Sequence, residues 1–337
     1  MDIAAAFHPL PVGGELVLTR RYRQPVEKVW TALSTPERLA EWMGVEWLGD
    51  GTLGEGAAFD YRFRNSDMES RGRVLRFEPP RLLEHTWFDN FPPGSTVRWA
   101  LEPDGEGCLL TLTHVFRAPD DGPRTAAGWT SILDSLAASL GEKTEGQSGM
   151  EAWRTRRDRY AASFPPEANR DARLAEENGS PTLRFERLLK KPVDAVWAAL
   201  TEPEQIARWL TKAEVEPRVG GRFHLDFHDG ASIVDGRILR YEPPRLLETS
   251  WPEKNANGDS LLRFELFPTE QGTKLVLTHR LDAGGDLADF ASGWHWHLDA
   301  LDKALEGETV PFDEQRWRLL RKVYQMTLPA REVAADA

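Results

Sequence analysis

GRVLRFEPPRLLEHTW at residues 72–87 recurs as GRILRYEPPRLLETSW at residues 236–251, with 12 of 16 positions identical. Residues 25–43, PVEKVWTALSTPERLAEWM, match residues 192–210, PVDAVWAALTEPEQIARWL, at 10 of 19 positions. The paired stretches are 164 to 167 residues apart, which is far longer than the roughly 20–50 residues of a solenoid repeat. The sequence therefore predicts one domain that occurs twice.

The repeats define where the two domains begin and end. We predict a first domain over residues 14–164 and a second over residues 181–328, which agrees with a length of 337 residues. The polar stretch 165–180 carries no apolar periodicity and predicts a linker. Residues 1–13 and 329–337 lie outside the repeats and are predicted to be disordered.

Each copy contains two kinds of hydrophobic periodicity. VEKVWTAL at residues 26–33 places apolar residues at i, i+3, i+4 and i+7, which predicts an amphipathic helix. Apolar and polar residues then alternate, as in FDYRF at 59–63 and FHLDF at 223–227, which is typical of an antiparallel sheet with one solvated face. A long helical segment closes each copy. This order predicts an α+β fold with a curved antiparallel sheet, two short helices after the first strand and one long C-terminal helix.

Composition excludes several classes of protein. A net charge of −12 argues against a nucleic-acid partner, which would need a clustered basic face. No stretch reaches the roughly 18 apolar residues of a membrane span, so no membrane insertion is expected. The first residues, MDIAAAFHPLPVGG, lack the basic and apolar regions of a signal peptide. With a single cysteine, Cys108, the sequence predicts a cytoplasmic protein without disulfides and gives no sign of a cofactor.

Four segments occur in the same order in both copies: PVxxVW, LRxEPPRLLE, LxLTH and GWxxxLDxL. With them the chain resembles the activator-of-heat-shock-protein-90-ATPase homologue (AHSA-type) family of the START-like, or SRPBCC and Bet v 1-like, superfamily. The resemblance implies tandem helix-grip domains, in which the sheet wraps the C-terminal helix and leaves a cavity for a hydrophobic ligand. Both copies resemble only the domain type that is C-terminal in the eukaryotic co-chaperone, so a chaperone partner is not expected.

A histidine ends each LxLTH segment. Strand alternation places His114 on the side of Leu110 and Leu112, and His279 on the corresponding side in the second copy. If that side faces a cavity, the histidine could act as a general acid or base, or orient a polar ligand group. The alternative is a structural histidine that is hydrogen-bonded to the final helix or to the backbone.

Glu84 and Glu248 follow the paired leucines of PPRLLE. If they point inward, desolvation would raise their pKa and make them candidate acids. If they point outward, each would pair with a surface arginine. Alternation leaves both arrangements open.

Tryptophan is the remaining signal, because five tryptophan positions are shared by the two copies. Large aromatic residues dominate protein cores, but some of these could line an aromatic cavity for a flat, apolar ligand. The predicted cavity residues are Phe59, Tyr61, Phe63, Trp87, Trp99, Leu112, His114, Trp129 and Leu133 in the first copy, and Phe223, Leu225, Phe227, Trp251, Phe264, Leu277, His279, Trp294 and Leu298 in the second.

His224, Asp226 and His228 share one strand face in the second copy. Residues i and i+4 of a strand lie roughly 13 Å apart, too far to share a metal ion. No metal site is predicted.

The leading hypothesis is non-enzymatic binding of a small hydrophobic or aromatic molecule, such as a metabolite, a lipid or a polyketide-like compound. One alternative is an enzyme resembling the superfamily's polyketide cyclases and aromatases, with a histidine and an inward glutamate as acid and base. Another is a self-sacrifice resistance protein against a reactive natural product such as an enediyne. In a third, one copy only scaffolds the other.

Overall fold

A computed structural model describes residues 3–10, 13–48, 53–64, 69–87, 95–116, 122–144, 149–165, 168–177, 179–227, 232–252, 260–281 and 286–328. The chain divides into two compact units, Met1–Asn169 and Arg170–Ala337. Within the described residues, no helix is long and apolar enough to cross a membrane.

The first unit contains one antiparallel sheet of eight strands in the order β1-β2-β8-β7-β6-β5-β4-β3. Its helices are α1 (Val26–Ser34), α2 (Pro36–Trp42), α3 (Gly122–Ser139) and α4 (Met150–Ser163). Its strands are β1 (Ala4–Pro9), β2 (Gly14–Tyr22), β3 (Val45–Trp47), β4 (Ala58–Phe63), β5 (Glu69–Glu78), β6 (Leu82–Thr86), β7 (Thr96–Asp104) and β8 (Gly107–Phe116).

The second unit repeats this topology, with the strand order β11-β12-β13-β14-β15-β16-β10-β9. Its helices are α5 (Val193–Thr201), α6 (Pro203–Ile206), α7 (Leu287–Leu305) and α8 (Glu314–Thr327). Its strands are β9 (Arg173–Glu177), β10 (Ser180–Leu189), β11 (Lys212–Val215), β12 (Arg222–Phe227), β13 (Ser232–Glu242), β14 (Leu246–Trp251), β15 (Ser260–Thr269) and β16 (Gly272–Arg280).

The predicted α+β fold is confirmed. Each unit is a helix-grip domain, in which a long helix packs against the inner face of its sheet. In the first unit, α3 turns Trp129, Leu133 and Leu136 into the core, where they are covered by inward residues such as Leu112 of β8. The amphipathic pattern of α1 is real, because its apolar positions are buried. Alternation along strand and helix thus places one apolar core inside each unit.

The prediction of disorder over residues 1–13 is wrong for Ala4–Pro9, which form β1 and pair with β2. The physical reason is one aromatic side chain. Phe7 is buried, with its ring centroid 5.9 Å from those of Phe116 and Phe164. A Cβ at Gly14 would lie 2.3 Å from the Phe7 ring, so this glycine makes the room. Residues 329–337, also predicted to be disordered, lie outside the described residues.

The predicted linker over residues 165–180 is likewise not a free connection. Its later part forms β9, which pairs antiparallel with β10. Ala172 is buried, and its backbone N–H donates to the hydroxyl of Tyr324 at 2.9 Å. The boundary between the compact units falls at Asn169 and Arg170, inside this stretch. Polar composition concealed these contacts because edge strands bury only alternate residues.

Candidate functional site

The first unit has a small cavity of about 30 Å³ in its core. Since one water molecule needs roughly 10–15 Å³, the cavity has space for one or two waters and is too small for an organic molecule. Side chains from α1, α2 and strands β3 to β7 fill the remaining volume. The lining residues are Leu33, Leu39, Met43, Val45, Trp47, Leu53, Phe59, Tyr61, Val74, Leu83, His85, Trp87 and Trp99.

Aromatic packing and hydrogen bonds hold this cavity nearly closed. The ring of Phe59 stacks between those of Trp47 and Tyr61, with centroid distances of 5.8 and 6.0 Å. The indole N–H of Trp99 donates to Nε2 of His85 at 3.1 Å, and Nδ1 of His85 donates to the backbone carbonyl of Thr86 at 2.8 Å. Both nitrogens of His85 therefore have partners within the protein.

The second unit has a larger pocket, of about 350 Å³, at the ends of β12 and β14 beside the first half of α7. Small-molecule sites typically occupy roughly 300–1,000 Å³ and combine apolar walls with a few polar groups. Gly293 of α7 leaves the wall open, because a Cβ at this position meets no atom within 4 Å. The lining residues are Leu210, Phe227, Trp251, Asp286, Asp289, Phe290, Gly293, Trp294 and His297.

Charge is confined to one part of this pocket. Asp286 is the N-cap of α7, and its Oδ1 accepts the backbone N–H of Ala288 at 2.9 Å. Arg321 of α8 donates to Oδ2 of Asp286 at 2.8 Å and also contacts Asp289. Both carboxylates thus bind the same cation, and most of the other lining residues are aromatic.

A groove of about 280 Å³ adjoins the pocket and shares Leu210, Phe227 and His297 with it. The groove continues along Trp296 and the segment Thr309–Phe312. Nδ1 of His297 donates to the backbone carbonyl of Trp209 at 3.1 Å, which fixes the imidazole between the two spaces.

The two LxLTH histidines are buried and pack against aromatic residues of the cavity walls. The indole N–H of Trp129 donates to Nδ1 of His114 at 3.0 Å, and that of Trp294 donates to Nδ1 of His279 at 2.9 Å. Burial, with a smaller contribution from nearby His85, lowers the pKa of His114 to about 3. Burial also lowers the pKa of His279 to about 3. Both imidazoles are therefore neutral near pH 7.

The second nitrogen distinguishes the two histidines. Nε2 of His114 lies 2.6 Å from Oγ of Ser95, which in turn donates to the carbonyl of Val115 at 3.2 Å. Nε2 of His279 is buried and has no hydrogen-bond partner in the part of the chain that the structure describes. The same strand and helix geometry thus leaves one imidazole satisfied and the other with an unpaired polar atom.

Glu84 and Glu248 lie on the outer face of their sheets, which answers the question that alternation left open. Strand β6 directs Leu83 and His85 toward the cavity, so Glu84 points the opposite way. Glu84 faces Arg98 across β7, with a nitrogen–oxygen distance of 3.6 Å. Glu248 accepts from Nε of Arg263 at 2.6 Å. Neither carboxylate reaches the cavity, because each is ion-paired outside it.

Of the predicted cavity residues, some line a cavity, Phe63 lies beside one, and the rest are core residues. Phe59, Tyr61, Trp87 and Trp99 line the first cavity, and Phe227, Trp251 and Trp294 line the second pocket. Phe63 is half-buried against Tyr61, with ring centroids 5.6 Å apart. The others are core residues that do not line these spaces: Leu112, His114, Trp129, Leu133, Phe223, Leu225, Phe264, Leu277, His279 and Leu298.

The sequence interpretation missed the acidic and glycine positions of the second pocket and the groove beyond it. Gly293 was visible in the GWxxxLDxL segment, where glycine in a helix is unfavourable and therefore needs a reason. The other missed pocket residues gave no signal of their own. Across the described ranges, no group of three or more His, Cys, Asp or Glu side chains could hold a metal ion. His228 lies outside the described residues.

Comparisons with known proteins agree with the repeat. A family described as Activator of Hsp90 ATPase homolog 1-like protein matches residues 23–141 and 190–306. No curated protein matches the chain. Among solved structures, CalU16 from Micromonospora echinospora is 29% identical with a TM-score of 0.39, and the match covers 48% of this chain and 96% of CalU16.

Two further solved structures are similar. Protein MLL2253 from Mesorhizobium loti is 27% identical with a TM-score of 0.34, and the match covers 38% of this chain and 99% of MLL2253. DynU16, described as a putative protein in the dynemicin biosynthetic locus, is 19% identical with a TM-score of 0.35. That match covers 86% of this chain and 98% of DynU16.

Proposed function

We propose that this chain, which belongs to the Activator of Hsp90 ATPase homolog 1-like family and its START-like superfamily, binds a small aromatic or hydrophobic molecule. The binding site of this proposal is the pocket of the second unit. The observation that carries it is the open, aromatic-walled space of about 350 Å³ beside Gly293.

The walls favour a flat, apolar ligand. Phe227, Trp251, Phe290 and Trp294 supply aromatic faces from two strands and one helix. Aromatic rings bury large areas with specific stacking geometry, so four of them around one space suit another ring system. The groove past His297 offers further room for a substituent.

We assign binding to the second unit and a structural role to the first. The first cavity measures about 30 Å³, and its aromatic residues already pack against each other. A ligand there would have to displace well-packed side chains, which interiors of native density resist.

Non-enzymatic binding is preferred to a cyclase-like reaction. A general acid or base must reach the reacting atom and have a pKa near the working pH. His114 and His279 are buried with strongly lowered pKa values, and Glu84 and Glu248 are ion-paired on the outer face. The self-sacrifice alternative gains no residue from this geometry. A cytoplasmic location and the absence of a chaperone partner stay predictions.

Filling the pocket tests the proposal. In Gly293→Leu the new side chain enters open space, and leucine also favours the helix over glycine. The probe is N-phenyl-1-naphthylamine, a neutral aromatic fluorophore. We expect Gly293→Leu to weaken its affinity at least tenfold, measured by fluorescence titration, while the melting temperature is unchanged or higher.

Gly128→Leu is the matched control. Gly128 occupies the aligned position of α3, and a Cβ there also meets no atom within 4 Å. This variant carries the same change in helix propensity and should leave probe affinity within a factor of two. Equal affinity of the probe for wild type and Gly293→Leu, or no binding to wild type, would overturn the proposal.

A further inference from the structure

We propose that the ligand of the second unit carries a hydrogen-bond acceptor, such as a ketone or quinone oxygen, that receives the Nε2 proton of His279. This inference rests on the proposed function and specifies the ligand class for the same pocket. The juxtaposition that carries it is an imidazole with an unpaired nitrogen whose ring packs against three aromatic residues of the pocket wall.

The tautomer of His279 follows from its partner. An indole N–H can only donate, so Nδ1 of His279 must accept the hydrogen bond from Trp294. A neutral imidazole has one N–H, which therefore resides on Nε2. His279 thus presents a donor at Nε2, and a matching ligand group has to be an acceptor.

Burial removes the N–H at Nε2 of His279 from contact with water, and no described residue replaces the lost hydrogen bond. His279 is fully buried, and Nε2 is unpaired in the described part of the chain. Buried donors are almost always hydrogen-bonded, so an exception needs an explanation. In the first unit the equivalent donor is satisfied by Ser95 at 2.6 Å. The second unit keeps the histidine and also has a buried serine, Ser260, at the position aligned with Ser95, but Nε2 of His279 makes no hydrogen bond within the described residues.

The imidazole is one side chain away from the pocket. Its ring centroid lies 4.9 Å from that of Phe290, 5.3 Å from Trp251 and 6.0 Å from Trp294, and all three residues line the pocket. Phe290 is only half-buried and lies in the first turns of α7. Phe290 is therefore the side chain that we expect a ligand to displace in order to reach the imidazole, whereas the two tryptophans are buried.

The acceptor is expected to be neutral. Asp286 and Asp289 line the same pocket, so an anionic ligand would meet two carboxylates even though Arg321 pairs with them. A carbonyl oxygen on a ring system accepts a hydrogen bond without adding charge. The ligand class is therefore an uncharged aromatic ketone or quinone.

Two probes of nearly equal shape test this inference, 9-fluorenone and fluorene, because they differ by one carbonyl group. We expect wild-type protein to bind fluorenone about tenfold more tightly than fluorene, since a hydrogen bond to an otherwise unpaired buried donor is worth roughly that factor. In His279→Leu the preference should fall to within a factor of two, while His114→Leu should retain it. Affinities are measured by quenching of tryptophan fluorescence.

A second measurement does not depend on any variant folding correctly. The carbonyl stretching band of fluorenone bound to wild-type protein should lie at lower frequency than in an apolar solvent, because a hydrogen bond weakens the C=O bond. If both probes bind equally well and the band does not move, the inference fails and the proposed function stands. If neither probe nor N-phenyl-1-naphthylamine binds, the proposed function itself fails.

Discussion

The two units share the same topology and differ in the residues that fill the interior. Both keep the tryptophan–histidine hydrogen bond between helix and sheet, at 3.0 Å in the first unit and 2.9 Å in the second. The larger residue stands in the first unit at four aligned interior positions: Trp47 and Ala213, Tyr61 and Leu225, His85 and Thr249, Trp99 and Phe264. The first cavity measures about 30 Å³ and the second pocket about 350 Å³.

This difference shows which residues hold the fold and which can change function. Residues that tie the long helix to the sheet are retained, because losing them would leave buried polar groups unpaired. Residues that fill the interior can vary in volume, since the sheet already closes the core around them. A duplicated domain can therefore lose or gain a pocket without a change of topology.

The largest expected loss of stability concerns a cluster of arginines around Asp299, a residue of the long helix α7. Asp299 accepts from Arg170 at 3.0 and 2.7 Å and lies 3.7 Å from the buried Arg187. Burial alone would raise the pKa of Asp299, but the neighbouring cations, Arg170 first, hold it well below its usual range. Asp299→Asn removes the carboxylate shared by both arginines, although Arg170 keeps Asp302 at 3.4 Å, and should cost about 4 kcal/mol of unfolding free energy.

Asp134→Asn is the matched variant in the first unit. Asp134 accepts from Arg20 at 2.6 Å and from Arg156 at 2.7 Å, but it is more exposed than Asp299. We expect a loss of about 2 kcal/mol, because water screens part of the uncompensated charge. Urea unfolding, with each unit followed by hydrogen exchange of its own peptides, measures both values. Equal losses would show that the two clusters are equivalent.

Exchanging two residues that line the first cavity should enlarge that cavity. The double variant His85→Thr, Trp99→Phe gives the first unit the residues of the second and removes a hydrogen-bonded pair together, so neither partner is left unpaired. We expect the first unit to lose about 3 kcal/mol, as other large-to-small core changes do. It should also gain affinity for N-phenyl-1-naphthylamine.

The second pocket must be closed for this test, so the double variant is made in the Gly293→Leu background and its probe titration is compared with that of Gly293→Leu alone. Unchanged, weak fluorescence in both proteins would mean that the core collapses around the smaller side chains and that removing their volume does not create a binding site in the first unit.

The sequence predicts the order of helices and strands well and the pocket poorly, for physical reasons. Apolar alternation and the helical stripe at residues 26–33 follow from local periodicity, so the α+β order can be deduced. The inner face of β6 could not, because Leu82 and Leu83 are both buried and the register shifts between Val74 and Arg76. The second pocket depends on Gly293 facing side chains from two distant strands, which no local pattern reports.

The pH dependence of stability tests whether both histidines are neutral in the fold. The pKa of each is lowered from 6.5 to about 3. Below pH 6.5 the unfolded chain takes up a proton at each histidine and the folded chain does not. Proton uptake therefore lowers the free energy of the unfolded state relative to the folded state. The stability of each unit should fall by about 1.4 kcal/mol per pH unit and histidine as the pH decreases from 6.5 toward 3.

Single substitutions test which histidine causes the pH dependence of stability in each unit. His114→Gln and His279→Gln replace the imidazole by a neutral amide that can still accept from the tryptophan, so each variant should lose the slope of its own unit between pH 6.5 and 5. Stability is measured by urea unfolding at each pH. A slope that survives both substitutions would assign the proton uptake to other groups.

The variant with the smallest predicted effect on stability leaves Nε2 of His114 unpaired, as Nε2 of His279 is in the second unit. Ser95→Ala removes the acceptor of the His114 Nε2 proton and leaves that donor buried and unpaired, as it is in His279. An unpaired buried donor costs about 1 kcal/mol or somewhat more. In a His114→Leu background the same serine change should cost nearly nothing, because no donor remains. This double-mutant cycle, measured by urea unfolding, isolates the pair. A coupling energy near zero would mean that the unpaired nitrogen of His279 carries no penalty, and a ligand acceptor would then gain little from pairing with it.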